Sequence, residues 1–419
     1  MRGRFSKDYW RRDSLNRPLI RLAPKKGGAI HLPPRGGKGR MVAFLFLLLQ
    51  LFAATLAAAE TRTVKILYLD RAGDPFYAPR ESYSGIYDAT RKSLLAGAEL
   101  GVRDSRVIGR AIGVTFKLLR ETLPEGGPAV SQLLASEKPA AVILDVPEAD
   151  VEAIAAAAPG TAVFNIRHRG LALRQRTCAT SLFHVIPSEA MLQDALAQFL
   201  AWSRWQDVLI LTSAPTLAES FQMSAQKFGL DIVDTRVFVP GNDPRQRDQN
   251  NVRLLTGGVD YDVVYVADEI GDFARLLPYR TGIPRPVVGA AGLSPLAWHP
   301  QWERHGAPQL NRRFFKYAGR TMTEEDWAAW IAVRSIVEAT VRGGNADKPL
   351  TEQLLRPSLT LELYKGFPGS FRPWDRQLRQ SILLGTTDAV IALAPVEGAL
   401  HQFNNLDTLG RDEPEFQCP

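Results

Sequence analysis

From about position 60 onward, short apolar runs alternate with stretches in which apolar residues recur every three or four positions, the signature of strands and helices in turn. Val64 to Leu69 reads as a strand, Ser93 to Val102 as a helix and Ile112 to Leu119 as a second strand. A helix over Ala129 to Ser136, a strand over Ala140 to Leu144, a helix around Ala149 to Ala158 and a strand over Thr161 to Phe164 follow. Such alternation predicts right-handed βαβ crossovers and a parallel sheet. A second set comprises a helix over Ser188 to Trp202, a strand over Val208 to Thr212 and a helix over Pro215 to Phe228. It continues with strands Ile232 to Val239, Val263 to Ala267 and Pro286 to Val288, and a helix near Asp272 to Leu276. Two α/β units of similar size predict two lobes.

Beyond them the spacing predicts a long helix over Thr323 to Arg342, with Thr323 as its cap, acids in its first turn and Gly343-Gly344 at its end. Trp327, Trp330, Ile331, Val337 and Val341 share one buried stripe, and Arg334 falls within it. Ser381 to Leu384 and Ala389 to Ala392, separated by Gly385-Thr386-Thr387-Asp388, read as a hairpin.

The region before position 60 follows different rules. An apolar run from Val42 to Leu56, broken only by Gln50 and Thr55, follows Lys38 and Arg40 and ends in Ala57-Ala58-Ala59. That is a secretory signal layout, with cleavage expected after Ala59 and Glu60 as the mature start. The alternative is an uncleaved anchor, because Met41 to Ala59 could barely span a bilayer. Charge supports setting this region apart. The formal net charge of the chain is +7, yet residues 1–59 hold 12 Lys and Arg against Asp8 and Asp13 alone. The remainder carries 39 basic and 42 acidic residues, which excludes an electrostatic footprint for nucleic acid. Only Cys178 and Cys418 occur. In an oxidising compartment such a pair predicts one disulfide, with two separate buried thiols as the alternative.

Catalytic motifs are missing: the sequence has no P-loop, no nucleophile-elbow serine and no zincin helix. Ser224-x-x-Lys227 has hydrolase-like spacing without partner motifs, and His299, Glu303 and His305 fit no familiar zinc pattern. No enzyme activity, metal or cofactor is expected.

The order of elements resembles the type I periplasmic binding proteins that serve branched-chain amino acid ABC transporters. Leu94-Leu95-Ala96-Gly97-Ala98-Glu99-Leu100 is similar to the family's first helix, and Asp260-Tyr261-Asp262-Val263-Val264-Tyr265-Val266 to a strand of its second lobe. Trp330-Ile331-Ala332-Val333-Arg334 occupies the place of its long helix. Leu277-Pro278-Tyr279-Arg280-Thr281, Ser370-Phe371-Arg372-Pro373-Trp374-Asp375 and Leu406-Asp407-Thr408-Leu409-Gly410 resemble a subgroup associated with PQQ-dependent alcohol dehydrogenase systems. The resemblance covers about residues 62–419.

It implies an α/β, two-lobed fold, each lobe a mostly parallel sheet flanked by helices, with three crossings and a solute held between the lobes. The expected division is 60–183 with about 290–348 for the first lobe, 184–289 with about 349–395 for the second, and 396–419 as a tail. The implied role is a monomeric periplasmic component that captures a small-molecule solute for an inner-membrane ABC permease. A ligand sensor read by a membrane receptor, or a periplasmic enzyme on the same scaffold, are the alternatives. Ligands of open α/β sheets bind beyond the carboxyl ends of strands, which singles out Asp70, Asp145, Asn165, Arg167, Asp268 and Glu269. Amino-acid-binding members carry hydroxyl residues after the third strand, where this chain has Leu144-Asp145-Val146-Pro147-Glu148. Acids there repel a carboxylate, so a neutral or cationic solute, or one linked to alcohol oxidation, is expected. PQQ, with several carboxylates, fits only if Arg167 or Arg280 compensates.

Overall fold

The computed structural model describes residues 62–79, 91–124, 130–175, 180–241, 243–246, 248–343 and 348–416. The signal-like segment, and Cys178 and Cys418 with the disulfide expected between them, lie outside the described residues.

Five parallel strands form the first sheet: β1 (Arg62–Arg71), β2 (Val114–Leu123), β3 (Ala141–Asp145), β4 (Ala162–Asn165) and β5 (Leu182–His184), in the order β2-β1-β3-β4-β5. Between them run α1 (Leu95–Asp104), α2 (Arg106–Ala111), α3 (Val130–Glu137), α4 (Glu148–Ala157) and the short α5 (Ala172–Gln175). The second sheet is also parallel. Its strands β6 (Asp207–Thr212), β7 (Asp231–Val237), β8 (Val263–Ala267) and β9 (Val287–Gly289) lie in the order β7-β6-β8-β9, with α6 (Glu189–Trp202), α7 (Pro215–Phe228) and α8 (Val252–Leu255).

Alternation along each central strand explains the layering, because successive side chains of a strand point to opposite faces. On β1, Val64, Ile66 and Tyr68 join one core with Trp327 and Trp330, while Leu67 and Leu69 join another with Val151 and Ile154. On β6, Val208 and Ile210 pack with α6 and α7, while Leu209 and Leu211 face Val252 and Leu277. Each lobe is therefore a sheet covered on both faces, as a parallel sheet must be.

The chain then runs through β10 (Ser294–Leu296), α9 (Ala307–Ala318), α10 (Glu324–Arg342), α11 (Leu350–Leu354), the hairpin β11 (Ser370–Phe371) and β12 (Leu378–Arg379), and the pair β13 (Ile382–Gly385) and β14 (Val390–Ala394). Thr323 caps α10, as the local sequence indicated, and Asp326 completes a capping box with it. Arg334 in its apolar stripe pairs with Glu338 at 2.7 Å, one turn further on.

Several boundaries differ from the sequence pattern. The first helix runs two residues past its expected end, to Asp104, and the unexpected α2 follows Ser105, whose Oγ bonds back to the Gly101 carbonyl at 2.7 Å. Helix α9 is absent from the sequence reading, because Arg312, Arg313 and Lys316 mask the buried pair Leu310 and Phe314. The helix expected near Asp272 is a 3-10 turn over Ala274–Tyr279. The stretch 349–395, expected in the second lobe, divides between cores. Leu354, Leu359, Leu361, Leu363, Phe371 and Leu378 pack with the first lobe, while on β13 Leu383 faces the first core and Ile382 and Leu384 the second. Short segments without internal periodicity do not encode which core they join.

Helices α1 and α10 of the first lobe meet through glycines. A Cβ built on Gly97 would stand 2.2 Å from the Asp326 carbonyl oxygen, and one on Gly101 would stand 2.8 Å from Val333 Cβ. Overpacking of this kind costs about 1–3 kcal/mol. Gly97→Ala is therefore expected to lower the urea midpoint more than Gly101→Ala, with the slope unchanged. Equal or negligible shifts would show that the helix pair is free to slide.

Candidate functional site

Because every strand in each sheet is parallel, all its carboxyl ends lie along one edge. Residues 185–188 lead from the carboxyl end of β5 into α6 of the second lobe, and residues 290–293 lead from the end of β9 into β10 and back. With β13, which runs between the two cores, these are three crossings. Both carboxyl edges thus border the crossings.

At the first lobe's edge the sequence-predicted Asp145 and Arg167 come together. Arg167 Nη1 donates to Asp145 Oδ1 at 3.0 Å, and its Nη2 donates to Asp74 Oδ2 at 2.8 Å. The second carboxylate oxygen of Asp145 accepts from Tyr68 Oη at 2.6 Å and from Tyr77 Oη. Burial raises the Asp145 pKa against the lowering pull of both tyrosines and Arg167. The Tyr68 and Tyr77 phenols are pushed upward in turn, first by burial and then by the Asp145 carboxylate, so both remain donors. The guanidinium carbon of Arg167 lies 4.4 Å from the centre of the Phe76 ring, and that of Arg91 4.3 Å from it. Asp74, Phe76 and Tyr77 escaped the sequence reading. Their one signal was Asp74-Pro75, a capping residue followed by proline, which starts a 3-10 turn just past β1.

Asn165 serves the backbone. Its Oδ1 accepts from the amides of Arg167 and His168 and its Nδ2 donates to the His168 carbonyl, which shapes the loop presenting Arg167. Asp70, level with Asp145 in the β1–β3 register, turns toward the sheet edge and pairs with Arg120 at 2.7 Å. In the second lobe Asp268 is a cap: it accepts from the amides of Ile270, Phe273 and Ala274. Glu269 is exposed beside it. The structure thus unites Asp145, Arg167 and Asn165 and leaves Asp268 and Glu269 apart. His299, weighed as a metal ligand, has both ring nitrogens engaged, with the Thr386 carbonyl and the Gln301 amide.

The crossings themselves are tied together by buried side chains. Gln377 Nε2 donates to the carbonyls of His184 and Ile186 at 3.1 and 3.0 Å, and its Oε1 accepts from Arg174 Nε at 2.7 Å. Gln380 Nε2 donates to the Val185 carbonyl at 2.7 Å, and its Oε1 accepts from Lys365 Nζ at 2.7 Å. Lys365 also donates to the Ala297 carbonyl at 2.9 Å and sits 4.1 Å from the centre of the Trp327 ring. Glu324 accepts from the Ala297 amide and from Arg169. Burial pushes the Lys365 pKa well down, with Glu324 opposing it.

No protein-family model matches this sequence, and no curated protein matches it either. Solved structures do. An ABC transporter substrate-binding protein from Desulfitobacterium hafniense aligns with a TM-score of 0.58 at 18% identity, over 79% of this chain and 99% of its own. A branched-chain amino acid ABC transporter periplasmic ligand-binding protein from Burkholderia xenovorans aligns at 0.60 with 12% identity, over 79% and 95%. An ABC transporter solute-binding protein from R. palustris, in complex with benzoate, aligns at 0.55 with 14% identity, over 79% and 96%. The chain has the two-lobed α/β fold of periplasmic binding proteins.

Removing one member of a buried ion pair strands its partner and costs about 3–5 kcal/mol, whereas removing both costs less. Arg167→Met should destabilise by that amount, and adding Asp145→Asn should recover at least ~1 kcal/mol of it in denaturant unfolding. Strict additivity of the two changes would mean that the pair is not coupled.

Proposed function

We propose that this chain is an exported periplasmic solute-binding protein that captures a small molecule between its lobes and delivers it to an inner-membrane ABC permease. The observation that carries this reading is the convergence of two parallel-strand carboxyl edges on one set of crossings, which is where ligands of open α/β sheets sit. Likeness in fold to substrate-binding proteins of ABC transporters supports it. Export with cleavage after Ala59, a monomeric state and lobes divided near residues 183 and 290 belong to the same reading.

The solute's chemistry follows from how the charges at the edge are used. Both terminal nitrogens of Arg167 are taken by Asp145 and Asp74, leaving only a buried Nε without a partner, so a ligand carboxylate meets two buried acids ahead of the guanidinium. A neutral or cationic solute is the better fit, with Phe76 and Tyr77 as its apolar contacts and Asp145 and Arg167 as the rigid floor beneath them. Among solutes connected with PQQ-dependent alcohol oxidation, an alcohol or aldehyde suits this floor better than PQQ, whose carboxylates Arg167 is not free to compensate.

A thermal-shift screen over short alcohols, aldehydes, polyamines, neutral amides, branched-chain amino acids, organic acids and PQQ tests the reading. The matching solute should stabilise the protein by about 2.7 kcal/mol at a hundredfold excess over Kd. Stabilisation confined to carboxylates would overturn the proposed solute class, and turnover of a bound solute would replace capture with catalysis. Terminal sequencing of the exported form should begin at Glu60, and an intact Met41 to Ala59 segment would make it membrane-anchored.

A further inference from the structure

Three motifs that stood apart in the sequence meet in space. Ser224 and Lys227, one turn apart on α7, both grip Asp194 of α6: Ser224 Oγ donates to Oδ1 at 2.6 Å and Lys227 Nζ to Oδ2 at 2.7 Å. The tail closes over them. The Gly410 amide donates to Asp194 Oδ2 at 2.7 Å, and Lys227 Nζ donates to the carbonyls of Thr408 and Gly410 at 3.0 Å each. Leu409 is buried in the second lobe's core beside α6. This is the tail's anchor on the second lobe.

The residues just before it are anchored on the first. Asp407, 2% exposed, accepts from Arg372 Nε and Arg379 Nε at 2.8 Å. Arg372 Nη2 also donates to the carbonyls of Leu406 and Leu409 at 3.1 and 2.7 Å. Both arginines belong to the β11–β12 hairpin, and the hairpin belongs to the first lobe. Phe371 and Leu378 lie in its core, the Phe371 ring packs 5.0 Å from Phe183 of β5, and the His184 amide donates to the Arg376 carbonyl at 3.0 Å. Arg379 immediately precedes Gln380, two residues before the third crossing begins at Ile382.

We propose that residues 406–410 form a strap across the hinge: a non-covalent fourth link, gripping the first lobe through Asp407 and the second through Thr408 to Gly410, that narrows the range of angles between the lobes. Covalent crossings set where the lobes bend. The strap sets how far, because anchors one to three residues apart leave no slack for the lobes to separate at that point. The link rests on the two-lobed hinge and not on any solute, so it is tested without one, and its failure leaves solute capture untouched.

The test uses the exported chain with Asp407→Asn, which weakens the first-lobe anchor, Lys227→Met, which weakens the second, and the two combined. Amide hydrogen exchange at His184, Val185 and Leu293 reports on the crossings, amides of β8 report on global unfolding, and small-angle scattering reports the radius of gyration. A strap held at two ends is released by cutting either. Each single variant should therefore speed exchange at the crossings at least tenfold and raise the radius of gyration, with β8 unchanged, and the double variant should go no further than the faster single. Crossing amides that exchange as in the unaltered protein in either variant would overturn the proposal, as would a double variant whose acceleration is the product of the singles. Should Asp407→Asn speed β8 as well, Lys227→Met, at a half-exposed position on the other lobe, decides alone.

Discussion

Everything in this molecule depends on satisfying the backbone of three crossing segments where two sheets end. At such a junction a peptide group has left its own sheet and water has been excluded by packing, and an unpaired buried carbonyl or amide costs about as much as a lost hydrogen bond. The chain meets this with side chains. Gln377 and Gln380 cover three consecutive carbonyls, those of His184, Val185 and Ile186, and Lys365 and Glu324 hold the two sides of Ala297. Carbonyls at the first crossing, the Ala297 peptide just past β10 after the second, and the glutamines that precede the third are thus one hydrogen-bonded body. Any rotation between lobes has to take place in the residues flanking it.

That arrangement places an uncompensated-looking lysine at the centre of the protein, and its neighbours explain how it persists. Lys365 gives protons to two carbonyl-type oxygens and faces the Trp327 ring, with Glu324 near enough to oppose the burial penalty but held by other donors. The strand-edge network follows the same principle of mutual satisfaction. Asp145 collects two phenols and a guanidinium, and Arg167 is divided between two acids. Asp145 and Arg167, which sequence logic offers as ligand contacts, are largely engaged in holding one another. What they leave for the proposed solute is the apolar surface they support.

Much of the fold was legible because parallel sheets write themselves in long apolar runs: β3 and β8 are buried at all five of their positions, and both were readable from Ala140 to Leu144 and Val263 to Ala267. The cap at Thr323 was equally local. The strand-end rule chose Asp145 and Arg167, which the fold brings into one buried pair, but it also chose Asp268, whose three amide bonds hold its own loop. One rule cannot separate these outcomes, since a polar residue past a strand looks alike whether it turns to its own loop or across the edge. Asp74 and Tyr77 were missed because they act through residues some seventy to ninety positions away, Asp145 and Arg167.

Helix α6 shows how the tail could have been anticipated. Its 14 residues include Gln193, Asp194 and Gln198, yet nearly the whole helix is buried, polar positions included. A helix with such a polar face ordinarily turns it to water. Here Gln198 bonds to the Val396 amide and to Thr408, and Asp194 to the Gly410 amide, so the polar face of α6 is a seat for the chain's last segment. Ser224 and Lys227 owe their hydrolase-like spacing to the same demand: residues three apart on a helix share a face, and the face they share is the one that grips Asp194. The spacing that in isolation suggests catalysis is, in this fold, what fastens the end of the chain across the hinge.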